Sequence, residues 1–489
     1  MDESPKIEAQ YFLAGICGAG MSSLALLLTS LGQHVRGSDT NCTGTEAESL
    51  RARGIPVLPE DSAAAALRTG EVVVRSSAVH LDNPVLASAS RLGLVVQHRS
   101  DVLAALASGY FLIAVSGTHG KTTTTGMIGY VLAREAFQPT IYVGGRIAGF
   151  DSCFPRDRTA ARHVEGRPVM VLETDESDGS FLKFHADVAV VTNIDRDHLG
   201  TYGDKFENLV AAFRQFLGQS SEREGLIVGC GDDPEVQQIV AGMGHKALYG
   251  EAPSSKVRIH YDGIANAASV VKDGTAREFR MIRGDEKSYH NAVAAALACE
   301  AVGVDFQEAL DVLETFPGME RRMQVLAEAN GVTVITDHAD HPTEIRATLQ
   351  AVSVRYRGRR LTLVLQPHRF SRVTSCLAQY GPALSGVDRV ILLDIFTAGE
   401  TTEDPRMLNQ HLRMSIKTAI GEHLQDRMSA EEVLDFLHAS SALGDVVVFM
   451  GPGDVNRLGL RFCGLLSGGN AVECDSSTSG MGHERQENR

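Results

Sequence analysis

The sequence predicts an α/β chain of three successive domains: a Rossmann-like one, a central P-loop one on a parallel sheet, and a second Rossmann-like one. Three observations carry this. The chain has 489 residues, and at roughly 100–200 residues per domain that length corresponds to about three. Short apolar strands alternate with helical stretches along the chain, the pattern of a doubly wound sheet. Twice, a glycine-rich turn joins an apolar strand directly to a helix, at Gly15 to Ser22 and at Gly117 to Thr123.

The elements follow in order. Gln10 to Ile16 reads as an apolar strand, followed by the first glycine turn, a helix through Met21 to Leu31 and a second strand from His34 to Arg36. Glu71 to Arg75 is a later strand of the same unit, which is expected to cover residues 1–107. Tyr110 to Val115 opens a second unit, expected over 108–315, with further strands at Val169 to Leu172, Val188 to Val191 and Leu226 to Val228. A third unit, expected over 316–466, begins near Phe316-Pro-Gly318, with strands at Val332 to Ile335, Arg360 to Leu365, Val390 to Leu393 and Val446 to Met450. Residues 467–489 are Gly/Ser/polar and are expected to be a flexible tail.

Composition narrows the function classes. Lys plus Arg number 46 against 61 Asp plus Glu, a formal charge of −15. That argues against a general binder of nucleic acid or of anionic membranes, which needs a basic face. The start, MDESPKIEAQ, is not a signal peptide, and no apolar run approaches the ~18 residues that cross a bilayer. The eight cysteines are scattered without a CxxC pair. This reads as reduced thiols in a cytoplasmic protein, with no membrane insertion and no zinc site.

Five motifs carry chemistry. In Gly15-Ile-Cys-Gly-Ala-Gly-Met-Ser22, a turn between strand and helix lets backbone N–H groups of Gly15, Gly18, Ala19, Gly20, Met21 and Ser22 approach a diphosphate. Asp39 follows the next strand, where a carboxylate meets a ribose or a base. Cys17 interrupts the GxGxxG spacing, and the turn alone fits a diphosphate site and a tight structural turn equally. The second motif, Ser116-Gly-Thr-His-Gly-Lys-Thr-Thr-Thr-Thr125, is a shortened P-loop, since Val115 holds the first glycine position. Lys121 would neutralise phosphate charge and the Thr122 hydroxyl would ligate Mg²⁺.

Glu173-Thr-Asp-Glu-Ser-Asp178 follows an apolar strand. By itself an acidic loop is solvated surface. Beside a P-loop strand it is a way to hold Mg²⁺. Thr192-Asn-Ile-Asp-Arg-Asp-His198 ends another strand; a lone histidine is more often structural, but at a third loop on the same sheet edge His198 would ligate a second cation, oriented by Asp197. The last unit carries Arg321-Arg322, Asp337-His-Ala-Asp-His-Pro342, Gln366-Pro-His-Arg369 and Gly451-Pro-Gly-Asp454, each at a strand end. Paired arginines suit a phosphate or a carboxylate.

In this order, over roughly residues 10 to 465, these motifs resemble the Mur ligases, ATP-dependent enzymes that form amide bonds in peptidoglycan synthesis. The resemblance implies an N-terminal Rossmann-like domain that binds UDP, a central P-loop domain that binds ATP, and a C-terminal Rossmann-like domain that brings the amino acid. It implies that Gly117, Thr118, His119, Gly120, Lys121, Thr122 and Thr123 grip the phosphates, with Asn193 near the nucleotide. Thr122 and Glu173 would serve one Mg²⁺, and His198 with Glu173 a second. Lys121, Glu173, His198 and Arg322 would be catalytic, with Arg322 at the γ-phosphate and Asp337 at the ATP ribose. Ser76 and Ser77, before Asn83-Pro84, would join the glycine turn and Asp39 in holding the UDP substrate. His341, His368 and Arg369 would form the amino-acid site. Within the family, the resemblance points to the activity that joins L-alanine to UDP-N-acetylmuramate through an acyl phosphate. A peptide-recycling ligase acting on the same sugar nucleotide, and a degenerate nucleotide-binding relative, are the alternatives. A nicotinamide dehydrogenase would leave the Lys121 loop unexplained.

This chain also departs from the family pattern. Asp337-His-Ala-Asp-His-Pro342 stands where Asp-Tyr-x-His-His-Pro is usual. The Gly-x-His-Asn near the end of the central domain is disturbed, with His290-Asn291 arriving late. The stretch between Gly244 and Glu286 is divergent.

Overall fold

The computed structural model describes residues 9–467, apart from 41, 43, 151–160, 198, 283, 399, 426 and 427. His198, Cys153, Cys474 and the tail beyond Ser467 therefore lie outside the described residues. The chain forms two compact units that meet in sequence at Pro317 and Gly318.

The first unit holds two sheets. The N-terminal sheet consists of β1 (Gln10–Ala14), β2 (His34–Asp39), β3 (Val57–Pro59), β4 (Glu71–Arg75) and β5 (Val95–His98), in the order β3-β2-β1-β4-β5. Every pairing is parallel. The chain leaves β1 toward β2 on one side and later returns to β4 on the other. The crevice at such a reversal lies at the carboxyl ends of the strands, where doubly wound sheets bind ligands. The first glycine turn and Ser76-Ser77 sit there.

The central sheet has nine strands: β6 (Phe111–Ser116), β7 (Thr140–Tyr142), β8 (Val169–Glu173), β9 (Val188–Val191), β10 (Leu226–Cys230), β11 (Lys246–Gly250), β12 (Val257–Asp262), β13 (Ala267–Lys272) and β14 (Thr275–Phe279). Their order is β14-β13-β12-β11-β10-β9-β6-β8-β7. All residues of β6 and β9 are buried. This is why both read as unbroken apolar runs and not as alternating ones: a central parallel strand is covered on both faces. Between β8 on one side and β9 on the other, β6 marks the second reversal, and it delivers the second glycine turn.

The sheet is not wholly parallel. β12, β13 and β14 pair antiparallel and extend one edge. They fill the stretch that diverges in sequence, and a two-residue turn at Asp273 (φ 49°) and Gly274 (φ 81°) joins the last two. That pair of positive φ angles is the hairpin turn that Asp-Gly favours.

The second unit carries β15 (Gln324–Ala329), β16 (Val332–Asp337), β17 (Leu361–Leu365), β18 (Arg389–Leu392) and β19 (Val446–Met450), in the order β15-β16-β19-β17-β18. Only the edge strand β15 runs antiparallel to its neighbour. Two apolar clusters cover the two faces, one around Ile345, Val373 and Tyr380 and one around Val433, Val455 and Phe462.

Candidate active site

The second glycine turn is shaped by backbone geometry that only glycine adopts readily. Gly117 has φ +129° and Gly120, which caps the helix Lys121–Arg134, has φ +84°. A Cβ on Gly117 would run into Thr192 Oγ1 and stand 3.0 Å from the Asn193 carbonyl oxygen. On Gly120 it would stand 2.8 Å from Asn291 Oδ1. The turn is thus wrapped by two other segments. Asn193 clamps it twice: its Oδ1 accepts from the His119 N–H at 2.9 Å and its Nδ2 donates to the His119 carbonyl at 2.9 Å. The Thr192 hydroxyl donates to the same carbonyl at 2.6 Å, and the Asp195 N–H donates to Thr118 Oγ1 at 2.8 Å. Asn193 acts here on the shape of the loop. The side chains of Thr192 and Asn291 complete the wrap; both stand in motifs noted in the sequence, but their contacts with the loop join segments more than 70 residues apart, which no local spacing signals.

Lys121 lies inside this frame. Its Nζ donates to the carbonyls of Gly117 (2.7 Å) and Thr118 (3.2 Å) and pairs with Glu176 at 2.9 and 3.0 Å. Burial lowers the ammonium's pKa, but Glu176, Asp175 and Glu173 outweigh it, and the net shift is upward. The lysine is therefore charged and held at the mouth of the turn. Glu176 is only 1% exposed, so the pair is a buried one. Thr122 Oγ1 donates to Glu173 Oε1 at 2.7 Å, while Glu173 Oε2 accepts the Gly144 N–H at 2.7 Å. One hydroxyl and one carboxylate oxygen thus converge beside the lysine. Among the described residues no three His, Cys, Asp or Glu side chains form a metal cage. Mg²⁺ is commonly held by one or two carboxylates together with substrate phosphates and water, and the Thr122–Glu173 oxygens fit that mode.

The acidic loop is anchored from below. Phe181, fully buried, packs edge-on to Phe213 at 5.1 Å and against Phe216 at 5.2 Å. Burying such a ring contributes about 2–3 kcal/mol, which fixes the loop that carries Asp175, Glu176 and Asp178. The Ser77 hydroxyl reaches across from the N-terminal sheet and donates to Asp178 Oδ2 at 2.6 Å. The structure therefore brings Ser77, the acidic loop and the P-loop into one neighbourhood.

The first glycine turn is built differently. Gly15 and Ile16 N–H groups donate to the Ser38 carbonyl, and Asp39 Oδ2 accepts the Cys17 N–H at 2.9 Å. Gly18 caps the helix Ala19–Ser30 in extended backbone, φ −64° and ψ 141°, without a side-chain cap. Met21 and Ser22 are buried, and Met21 lies in the apolar core, so its contribution to the turn is from the backbone.

In the second unit, Asp337 ends β16 with both oxygens engaged by backbone: Oδ2 by the Met323 N–H and Oδ1 by the Ala339 N–H, each at 2.8 Å. Burial raises its pKa against the pull of Arg322 and these amides. Arg321, at φ +59°, donates to the carbonyls of Gly451 (3.0 Å) and Gly453 (3.1 Å) and so ties the Gly-Pro-Gly-Asp turn to the segment that leads into β15. His338 is held neutral, its pKa well below the usual value, by burial and by Arg322 and Arg321. His341 is buried and caps the helix Pro342–Arg355, accepting the Thr343 N–H, with Cys376 Sγ 3.5 Å from its Nε2. Asp340, in the position of the missing histidine, lies 3.4 Å from both His368 Nδ1 and Arg372 Nε. The His368 ring stacks on Phe396 at 5.8 Å, and the exposed Arg369 opens the helix Phe370–Ala383 at φ +65°.

Comparison with known proteins gives matches to three family descriptions. They are "Mur ligase family, catalytic domain" over residues 11–111, "Mur ligase middle domain" over 115–299 and "Mur ligase, glutamate ligase domain" over 321–453. The chain is 36% identical over 466 residues to a UDP-N-acetylmuramate–L-alanine ligase of Carboxydothermus hydrogenoformans, covering 94% of this chain and 97% of that one. It is 37% identical over 465 residues to the enzyme of the same name from Kineococcus radiotolerans, covering 93% and 96%. Among solved structures, the fold is similar to that of UDP-N-acetylmuramate-alanine ligase from Thermotoga maritima, with a TM-score of 0.78 at 24% identity, covering 94% of this chain and 99% of that one.

Proposed function

This chain belongs to the Mur ligase family, and from that premise we propose that it joins L-alanine to the lactyl carboxylate of UDP-N-acetylmuramate at the expense of ATP. The observation that carries the reading is the cluster of Lys121, Thr122, Glu173 and Glu176 at the second glycine turn, in a chain aligned over nearly its whole length with alanine ligases. We assign residues 1–107 to the UDP substrate, 108–315 to ATP and 316–466 to the amino acid.

A carboxylate is a poor acylating agent and must be activated. Its oxygen attacks the γ-phosphorus of ATP, the bond to the ADP oxygen breaks, and an acyl phosphate forms. The neutral amine of alanine then attacks the acyl carbon, and inorganic phosphate leaves with the C–O bond electrons. Bringing one anion onto another requires preorganised positive charge. Lys121 supplies it at the turn, and we assign Arg322 to the γ-phosphate. The amides of Gly117 to Thr123 and the start of the helix Lys121–Arg134 add oriented dipoles. Thr122 and Glu173 are the residues that would hold Mg²⁺, with His198 assigned to a second ion; bound magnesium would shield the phosphate oxygens. Gly15, Gly18, Gly20, Asp39, Ser76 and Ser77 are assigned to the sugar nucleotide. His368 and Arg369 are assigned to the amino acid, while His341 would support them from the core. Among the described residues no helix is long and apolar enough to cross a membrane. We assign the reaction to the cytoplasm, where ATP is available.

The test is amino-acid-dependent phosphate release from purified protein with UDP-N-acetylmuramate, ATP and Mg²⁺. Release is expected only when L-alanine is added. Preference for a tripeptide over alanine would move the chain to the recycling activity. ATP binding without turnover by any acceptor would make it a non-catalytic relative.

A further inference from the structure

One charged side chain beside the first glycine turn has no role so far. Arg99 begins the helix Arg99–Ala107, which follows β5. A cation in the first turn of a helix faces the positive end of the helix dipole and is disfavoured there. The side chain nevertheless packs, half-buried, against the first turn of the helix Ala19–Ser30. A Cβ on Gly20 would overlap Arg99 Nη1 and stand 2.9 Å from Cζ, so the glycine makes room for the guanidinium. The Tyr142 hydroxyl lies beside the same glycine. Burial pushes that phenol up to about 12, so it stays protonated, and it donates to the Gly20 carbonyl at 2.5 Å. Arg99 Nε is buried without a hydrogen-bond partner. Asp175 and Asp178 act on the guanidinium from a distance, but among the described residues it forms no ion pair. The Nε–H is thus buried without an acceptor, which is costly unless a ligand supplies one.

We propose that Arg99 is a phosphate-binding residue, and that it grips the diphosphate of the UDP substrate at the start of the helix Ala19–Ser30. The proposal rests on the sugar-nucleotide reading of the first glycine turn and names the residue that gives it charge. The turn itself offers only backbone amides. A planar guanidinium supplies the paired donors that match a phosphate's oxygens. Two helix starts, at Ala19 and Arg99, add partial positive charge on the same side. Gly20 is required at its position by Arg99 and not by its backbone angles, since it is absent from the positive-φ glycines.

The experiment is calorimetric titration of wild type, Arg99→Gln and Arg99→Lys with UMP, UDP and UDP-N-acetylmuramate. Wild type is expected to bind UDP more tightly than UMP. Arg99→Gln should lose about 10- to 100-fold in affinity for UDP and UDP-N-acetylmuramate, while UMP affinity stays at the wild-type value; Arg99→Lys should fall between. Comparing two ligands on one variant removes any general loss of folding. A parallel drop for UMP and UDP would make Arg99 a scaffold residue and overturn the proposal. So would unchanged UDP affinity, or a loss confined to UDP-N-acetylmuramate, which would assign the guanidinium to the lactyl carboxylate. If wild type binds neither UMP nor UDP, the sugar-nucleotide reading itself fails and takes the Arg99 proposal with it.

Discussion

The two glycine turns of the first unit occupy equivalent places, each between a central parallel strand and a helix, yet they are built on opposite principles. The turn after β6 is rigid and internally charged. Its glycines Gly117 and Gly120 are forced by positive φ, Asn193 and Thr192 bond its backbone from outside, and Lys121 is paired with a buried carboxylate. The turn after β1 contains no charged side chain, its helix cap Gly18 is in ordinary extended backbone, and Asp39 accepts its Cys17 N–H. A site that only binds a diphosphate can rely on amides and a neighbouring guanidinium. A site that must stabilise charge moving in a phosphoryl transfer has to fix its cation before the substrate arrives. The Lys121–Glu176 pair does this.

The largest effect that tests the contrast is expected at Lys121. Lys121→Ala should lower kcat about 1,000-fold. It should also destabilise the fold by about 3 kcal/mol, because Glu176 is left buried without its partner. The double variant Lys121→Met with Glu176→Gln should recover thermal stability and none of the turnover. Near-normal turnover of Lys121→Ala would remove the P-loop assignment. The raised pKa sets the pH window: the lysine's contribution is complete below the unfolded value of about 10.4 and is lost only as pH rises through the higher folded value. The stability gap between wild type and Lys121→Ala should therefore be level at neutral pH and shrink only in strong alkali.

Next come the residues that hold the turn's shape. Gly117→Ala forces a β-carbon into Thr192 at φ +129°. A stability loss of about 3 kcal/mol and a fall in kcat/KM of about 100-fold are expected. Asn193→Ala removes both bonds to the His119 backbone. Denaturant unfolding should show a loss of about 1–3 kcal/mol, and KM for ATP should rise about 10-fold, more than kcat falls. A change in kcat alone would mean that Asn193 touches the reacting groups and does not merely shape the loop.

The same contrast explains what could be read from sequence. The strand ends, both glycine turns and the Lys121–Thr122 and Glu173 positions are local patterns, each within a few residues of an apolar run, and they were legible. The ion pair from Lys121 to Glu176 spans 55 residues, and the contact of Arg99 with Gly20 spans most of the N-terminal domain. No spacing rule encodes either. The antiparallel edge β12–β14 was missed although the sequence marks it. Val257 to Asp262 alternates buried and exposed, and Asp273-Gly274 sits between two short strands. It was hidden by the expectation that a P-loop sheet is parallel throughout. His341 shows the reverse limit: a histidine in a motif is recognisable, but whether it faces a ligand or caps a helix depends on the depth at which that helix packs.

The smallest expected effect is the most direct comparison of the turns. Gly18 has no conformational need to be glycine, and a Cβ there would meet only the Gly15 carbonyl oxygen, at 3.4 Å. Gly18→Ala should therefore leave folding stability within about 0.5 kcal/mol of wild type, in contrast to Gly117→Ala. If a diphosphate approaches the backbone at this turn, the added methyl stands in its way, and UDP affinity should fall about 10-fold with ATP affinity untouched. A variant that is both stable and normal in UDP binding would mean that no ligand comes close to Gly18. The first turn would then be a structural bend, and the UDP substrate would have to be held by Arg99 and the Ser76-Ser77 segment alone.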